Sequence, residues 1–127
     1  STRAEVIISE EPVTDPQVRK PDILIALAED ALSKYVDRVK PKGLLVIDSD
    51  LVKGVKRGDY EILSIPATSI ADKEMGNIVV ANLIILGAII RKTGLLSVEA
   101  MEKAIEMSVP KKATALNLNA FRKGLKM

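Results

Sequence analysis

The chain has no histidine, no cysteine and no tryptophan in 127 residues. Without thiolate or imidazole it cannot ligate an iron–sulfur cluster through cysteine, build a Cys-His nucleophile or assemble a His-rich zinc site. The same absence excludes a Ser-His-Asp hydrolase within the chain, because Ser33, Ser64, Ser97 and Ser108 have no histidine to activate them. Aromatic side chains are scarce, and Tyr35, Tyr60 and Phe121 offer little for base stacking. No sign of charge dominates: 19 basic residues face 17 acidic ones, the net charge is +2, and no basic block forms, so nucleic acid is not an indicated partner. Gly54 and Gly58 are too sparse for a phosphate-cradling loop, and the Walker and dinucleotide fingerprints are missing. The longest apolar run, Ile78 to Ile90, is interrupted by Asn82 and Gly87 and falls short of the about 20 residues that a membrane span needs. The expectation is a soluble protein without a membrane segment, and zero cysteine fits a reducing compartment.

What is present is a large apolar fraction, 47% of the residues, in a length that suits one domain with one core. The opening shows no secretory leader and no initiator methionine, and it runs almost directly into Val6-Ile7-Ile8. The fold is therefore expected to begin ahead of Ser1. Ala4 to Ser9 predicts a strand, and Pro12, Pro16 and Pro21 then predict a loop, since proline removes a donor and restricts its predecessor. Ile23 to Leu27 and Leu44 to Ile47 are short, continuously apolar runs of the kind that form strands buried on both faces. Between them, Glu29 and Asp30 suit a first helical turn, and Leu32, Tyr35, Val36 and Val39 follow at one-sided helical spacing. Strand, helix, strand is a βαβ unit with parallel strands and a right-handed crossover. Pro41-Lys42-Gly43 marks the turn into the second strand, and Tyr60 to Ile65 predicts another strand, stopped by Pro66.

The remainder reads as helical. Asn77 to Thr93 lacks punctuation apart from Gly87, and its apolar residues occupy every face. A helix apolar all round must be buried all round, which predicts a subunit interface on its outer face. Thr93-Gly94 ends it, with Arg91 and Lys92 favourably placed for the C-terminal dipole. Ser97 caps the next helix, although Ala100 denies it a full capping box, and Val98, Met101, Ile105 and Met107 predict the inner stripe. Pro110 breaks that helix, and Ala113 to Leu125 forms a last one with Leu116, Ala120 and Phe121 as contacts.

Asp48-Ser49-Asp50 ends a buried strand at the edge where open α/β sheets place ligands. It could take hydrated magnesium or a ribose hydroxyl, or it could be a polar turn. Thr68 and Ser69 follow Pro66 at an expected helix N-terminus, able to receive a phosphate or simply to cap. Asn77 is most simply a cap, and Asn82 suits a structural or interface hydrogen bond. A turn or cap explains Asn117 and Asn119.

Several stretches carry a family resemblance. Arg3-Ala4-Glu5-Val6-Ile7-Ile8-Ser9, the strand from Pro21 to Leu27, the run from Gly43 to Val52, Ile65-Pro66-Ala67-Thr68 and Leu116-Asn117-Leu118-Asn119-Ala120-Phe121 with Gly124 occur in that order. Together they resemble the gamma subunit of 2-oxoacid:ferredoxin oxidoreductases, nearest the 2-oxoglutarate type by the opening from Ser1 to Ser9. Members of this family begin with a strand, a Gly-rich turn and a helix, so the resemblance implies that residues 1–127 are one gamma-type domain, N-terminally incomplete. The implied fold is a three-layer α/β/α domain with a largely parallel sheet and a helical C-terminal half. The implied activity is CoA-dependent oxidative decarboxylation of a 2-oxoacid to an acyl-CoA, with ferredoxin as electron acceptor, in the cytoplasm. Thiamine diphosphate, magnesium and iron–sulfur clusters are implied on partner chains: alpha and beta subunits and, in some complexes, a ferredoxin-like delta subunit. No catalytic or metal-binding residue is expected here. Pro66, Ala67 and Thr68 are the candidate CoA contact, and Asn82, Leu86 and Ile89 the candidate interface. Two other classes stay open on the residues alone: a stand-alone α/β domain binding a small ligand or nucleotide, and a homodimeric scaffold.

Overall fold

Short apolar runs and well-placed stops produce the elements of this chain. A computed structural model describes residues 5–8, 23–27, 42–55 and 57–127. The expected proline-rich loop, and the expected helix from Glu29 to Val39, lie outside the described residues. The chain divides into two compact units, Ser1–Pro66 and Ala67–Met127.

The first unit holds a sheet of β1 (Glu5–Ile8), β2 (Ile23–Ala26), β3 (Gly43–Asp48) and β4 (Tyr60–Ile65), side by side in chain order. β2, β3 and β4 run parallel, in the registers Ala26↔Ile47 and Asp48↔Ile65, while β1 is antiparallel to β2. The continuous apolar sequence of β2 and β3 has its expected consequence: Ile23 to Ala26 and Leu44 to Asp48 are all buried, as in parallel strands covered on both faces. Leu24, Ala26, Leu45 and Ile47 share one face by register and form a cluster with Val52, against which Val55 and Tyr60 pack. β4 stands at one end of the described sheet, with Glu61, Ile62 and Ser64 exposed and Ile65 buried. Lys42 enters β3 with φ 64°, and its N–H donates to the Asp59 carbonyl at 2.6 Å, which ties the start of β3 to the residue before β4.

The second unit is helical: α1 (Ala67–Lys73), a 3-10 turn (Ile78–Val80), α2 (Ala81–Thr93), α3 (Val98–Ser108), a second 3-10 turn (Lys111–Ala113) and α4 (Thr114–Leu125). The predicted helix from Asn77 is thus two pieces. Asn77 caps the 3-10 turn by accepting from the Val79 N–H at 3.0 Å, and α2 proper starts at Ala81. Gly94 ends α2 in the left-handed conformation, φ 64°, donating to the Ile90 carbonyl, and Ser97 caps α3 by accepting from the Ala100 N–H.

Ile90, Ile105, Leu118 and Phe121 form the core of this unit, with Leu83, Leu86, Met101, Val109 and Leu125 packed against it. α2 and α4 meet at Gly87 and Gly124, whose missing side chains allow the two backbones to touch. Ion pairs from Arg122 to Glu102 (2.7 Å) and from Lys123 to Glu74 (3.0 Å) tie α4 to α3 and to the turn after α1.

Ile78 and Val79 are 56% and 78% exposed in the single chain, so the first turn of the apolar segment is left uncovered on the side where a subunit interface is expected. Two expectations need correction. Of the predicted α3 stripe, Ile105 is buried and Met101 half-buried, but Val98 and Met107 are exposed. Met107 lies two residues beyond Ile105, about 200° further round a 3.6-residue helix, and so faces away. Asn117 and Asn119 sit within α4, in neither a turn nor a cap, and the Asn117 side-chain amide donates to the Ala113 carbonyl at 2.8 Å. Leu118, two residues from the expected contact Leu116, is the more deeply buried leucine of that helix.

Candidate functional site

The parallel strands carry two sequence candidates to one edge. Asp48 is the last residue of β3 and pairs in register with Ile65, the last of β4, so Asp48-Ser49-Asp50 and Pro66 emerge together at the carboxyl end of the sheet. The Ser49 N–H donates to the Ile65 carbonyl at 2.9 Å and holds the two strand ends in place. Ligands of open α/β sheets bind at this edge.

Asp48 there has a structural task. It is 1% exposed, and its Oδ1 accepts from the Asp50 N–H at 3.0 Å, forming an Asx turn. Its carbonyl accepts from the Leu51 and Val52 N–H groups, and the Lys53 ammonium donates to the Ser49 carbonyl at 2.7 Å. This is the polar-turn alternative for the motif. Among the described residues, no group of three or more aspartates and glutamates lies close enough to hold a metal ion.

Of the candidate CoA tripeptide, Pro66 is exposed at the end of the first unit. Ala67, the first residue of α1, is fully enclosed, and Thr68 is half-buried. The seven residues of α1 make two turns, too few for a developed N-terminal dipole site.

Of the candidate interface residues on α2, Asn82 is exposed, Leu86 is half-buried against the core cluster and Ile89 is 2% exposed. Ile89 therefore belongs to this chain's own packing, while Asn82 is presented outward. Spaced i, i+4 and i+7, the three lie along one side of α2, but exposure falls along that side from Asn82 to the buried Ile89.

A groove between α3 and α4, lined by Val109, Lys111, Thr114, Leu118, Glu106 and Arg122 among others, gave no signal in the sequence, since its walls come from separate elements. Arg122 Nε donates to Glu102 Oε2, and Glu102, with a lesser contribution from Glu106, raises the Arg122 pKa further above its ordinary value. The guanidinium is thus already engaged by carboxylates. No described helix is long and apolar enough to cross a membrane.

A family model described as pyruvate ferredoxin/flavodoxin oxidoreductase matches residues 1–127. The chain is 44% identical to the 2-oxoglutarate synthase subunit KorC of Methanocaldococcus jannaschii over 126 residues, 98% of this chain and 67% of that protein. Its fold superposes on the gamma subunit of a keto/oxoacid ferredoxin oxidoreductase from Geobacter sulfurreducens, with a TM-score of 0.80 and 32% identity, covering 98% of this chain and 78% of that one. It is also similar to a 2-oxoglutarate:ferredoxin oxidoreductase from Magnetococcus marinus, solved with 2-oxoglutarate, coenzyme A and succinyl-CoA bound. That match has a TM-score of 0.71 and 25% identity, covering 83% of this chain but 19% of that chain.

Proposed function

The chain belongs to the pyruvate ferredoxin/flavodoxin oxidoreductase family, and from that premise we propose that it is the gamma subunit of a 2-oxoglutarate:ferredoxin oxidoreductase. The observation that carries this reading is the 44% identity to a 2-oxoglutarate synthase subunit across 98% of the chain. In the reaction the 2-oxoacid loses carbon dioxide, the acyl group passes to the thiol of CoA, and the electron pair released goes to ferredoxin. With no histidine and no cysteine, the chain supplies neither cluster ligands nor an imidazole base. Thiamine diphosphate, magnesium and the iron–sulfur clusters are assigned to partner alpha, beta and delta-type subunits. The thiamine ring system supplies the carbanion stabilisation that decarboxylation requires when it is bound there.

This chain's own part is to present surfaces. Pro66, Ala67 and Thr68, which follow β4 in sequence, are assigned the contact with CoA. Asn82 and the outward part of Leu86 face the partner subunits.

Native mass spectrometry of the complex that copurifies with this chain, with ferredoxin reduction assayed on the same sample, tests the reading. Copurifying thiamine-binding chains and CoA-dependent reduction that is fastest with 2-oxoglutarate are expected. A preference for pyruvate or a branched 2-oxoacid would overturn the substrate, and a lone chain without activity would overturn the assignment.

A further inference from the structure

Of the described charged residues, Asp48 alone is buried, at 1% exposure. A carboxylate taken out of water is costly unless hydrogen bonds replace its hydration, and a buried polar group that is satisfied rigidifies what it holds.

What Asp48 holds is the direction in which Pro66 leaves the sheet. Asp48 Oδ1 accepts from the Asp50 N–H at 3.0 Å, and the Asp48 carbonyl accepts from Leu51 at 3.0 Å and from Val52 at 2.9 Å. The turn is thus closed at its start by the Asp48 side chain and anchored at its end by Val52, 2% exposed in the cluster with Leu45 and Ile47. Between these two points, the Ser49 N–H lies in the plane of the Asp48–Ser49 peptide, so fixing Asp48 aims that N–H. It donates to the Ile65 carbonyl at 2.9 Å. That carbonyl belongs to the Ile65–Pro66 peptide, whose plane also carries the Pro66 nitrogen and Cα. Pro66 has no N–H of its own to bond and a φ fixed near about −65°, while the Ile65 side chain is 1% exposed. The orientation of the exposed Pro66 therefore follows from the burial of Ile65, the proline ring and the Ser49 bond. The last of these depends on Asp48.

We infer that Asp48 is a positioning residue for CoA: its turn aims the Ser49 N–H at the Ile65 carbonyl and so holds Pro66 ready for the cofactor, an inference that rests on the proposed contact of Pro66 with CoA. Asp48 acts through the backbone and makes no contact with CoA itself.

The test uses the full-length chain co-expressed with the other subunits of its complex, as wild type, Asp48→Ala, Asp48→Asn, Pro66→Gly and Ile25→Val. Ferredoxin reduction is measured against CoA and against 2-oxoglutarate. Asp48→Ala and Pro66→Gly should each raise KM for CoA at least about fivefold, with KM for 2-oxoglutarate and kcat at saturating CoA within about twofold of wild type, the pattern of uniform binding lost. Asp48→Asn keeps an acceptor oxygen and should bring KM for CoA back to within about twofold of wild type. Ile25→Val trims a buried residue of β2 that takes no part in the turn, so it lowers stability to a similar extent and should leave KM for CoA unchanged.

A KM for CoA raised by Pro66→Gly but not by Asp48→Ala would overturn the positioning role and leave the CoA contact standing. The role falls equally if Asp48→Ala raises both KM values alike, if Asp48→Asn is as impaired as Asp48→Ala, if Ile25→Val shows the same rise, or if Asp48→Ala shows one that Pro66→Gly does not. A KM for CoA unmoved in both Asp48→Ala and Pro66→Gly would remove the contact and the inference together, and a complex without CoA-dependent activity would remove the gamma-subunit reading with them.

Discussion

Gly87 of α2 and Gly124 of α4 face each other across a helix contact with no side chain between them. A Cβ placed on Gly87 would overlap the Phe121 carbonyl oxygen and lie 3.0 Å from Gly124 Cα, and one on Gly124 would overlap the Ile84 carbonyl oxygen and lie 2.9 Å from the Ala88 nitrogen. The obstacles are backbone atoms, which cannot swing aside as a flexible side chain can. Alanine within a helix normally gains about 0.5–1 kcal/mol over glycine. Here overpacking of about 1–3 kcal/mol outweighs that gain and reverses the sign. Gly87→Ala and Gly124→Ala are each expected to lower stability in urea unfolding. Because both displace the same pair of helices, the double variant should cost less than the two single losses added.

Asp48 presents a separable test of turn against ligand site. Asp48→Ala removes the 3.0 Å acceptor of the N–H of the half-buried Asp50, which should cost about 0.5–1.5 kcal/mol. Asp48→Asn keeps a side-chain oxygen in the same place and is expected to lose less. If the turn is the motif's task, millimolar magnesium leaves the melting temperature of the wild type unchanged. A magnesium-dependent rise that Asp48→Ala abolishes would restore the ligand reading.

Lys42 occupies the left-handed region at φ 64°, where an L side chain is strained by about 1–2 kcal/mol. Lys42→Gly should therefore be neutral or stabilising, even though glycine gives the unfolded chain more freedom. Lys42→Val should destabilise, since a β-branched residue tolerates this conformation poorly. Thermal unfolding of the three proteins decides it. The backbone bond to Asp59 is available to all of them and so does not confuse the comparison.

The features legible in the sequence were those set by neighbours along the chain. Ile23 to Ala26, Gly43 to Asp48 and Tyr60 to Ile65 could be read because short apolar runs between breakers leave few alternatives, and Asn77, Gly94 and Ser97 because caps act within three residues. That β2 and β3 run parallel followed from the βαβ reading, but the parallel pairing of β3 with β4 and the antiparallel placement of β1 beside β2 did not, since no local signal records them. The meeting of Gly87 with Gly124 was equally hidden: nothing along either helix records it, and the reason for each is the other. At the candidate site, the sequence placed Asp48 and Pro66 at strand ends, but only the register Asp48↔Ile65 brings those ends together. Burial was least legible where hydrophobicity was uniform, and the opposite fates of Val79 and Ile89 within one apolar run show why.

That contrast supplies a last prediction. Asn82 and Ile89 both lie on α2, and periodicity alone cannot say which meets a partner. Ile89 is 2% exposed, so Ile89→Ala opens a cavity in the chain's own packing and should cost about 2–5 kcal/mol in the unfolding of the full-length chain, whether or not partners are present. Asn82 is exposed, and Asn82→Asp changes charge with almost no change in shape, so the melting temperature of the chain alone should hold. If the outward side of α2 is a subunit contact, the same variant should weaken assembly, and raising the ionic strength should restore little of it, because buried charges are screened far less than exposed ones. Normal assembly of Asn82→Asp would place the contact away from this position.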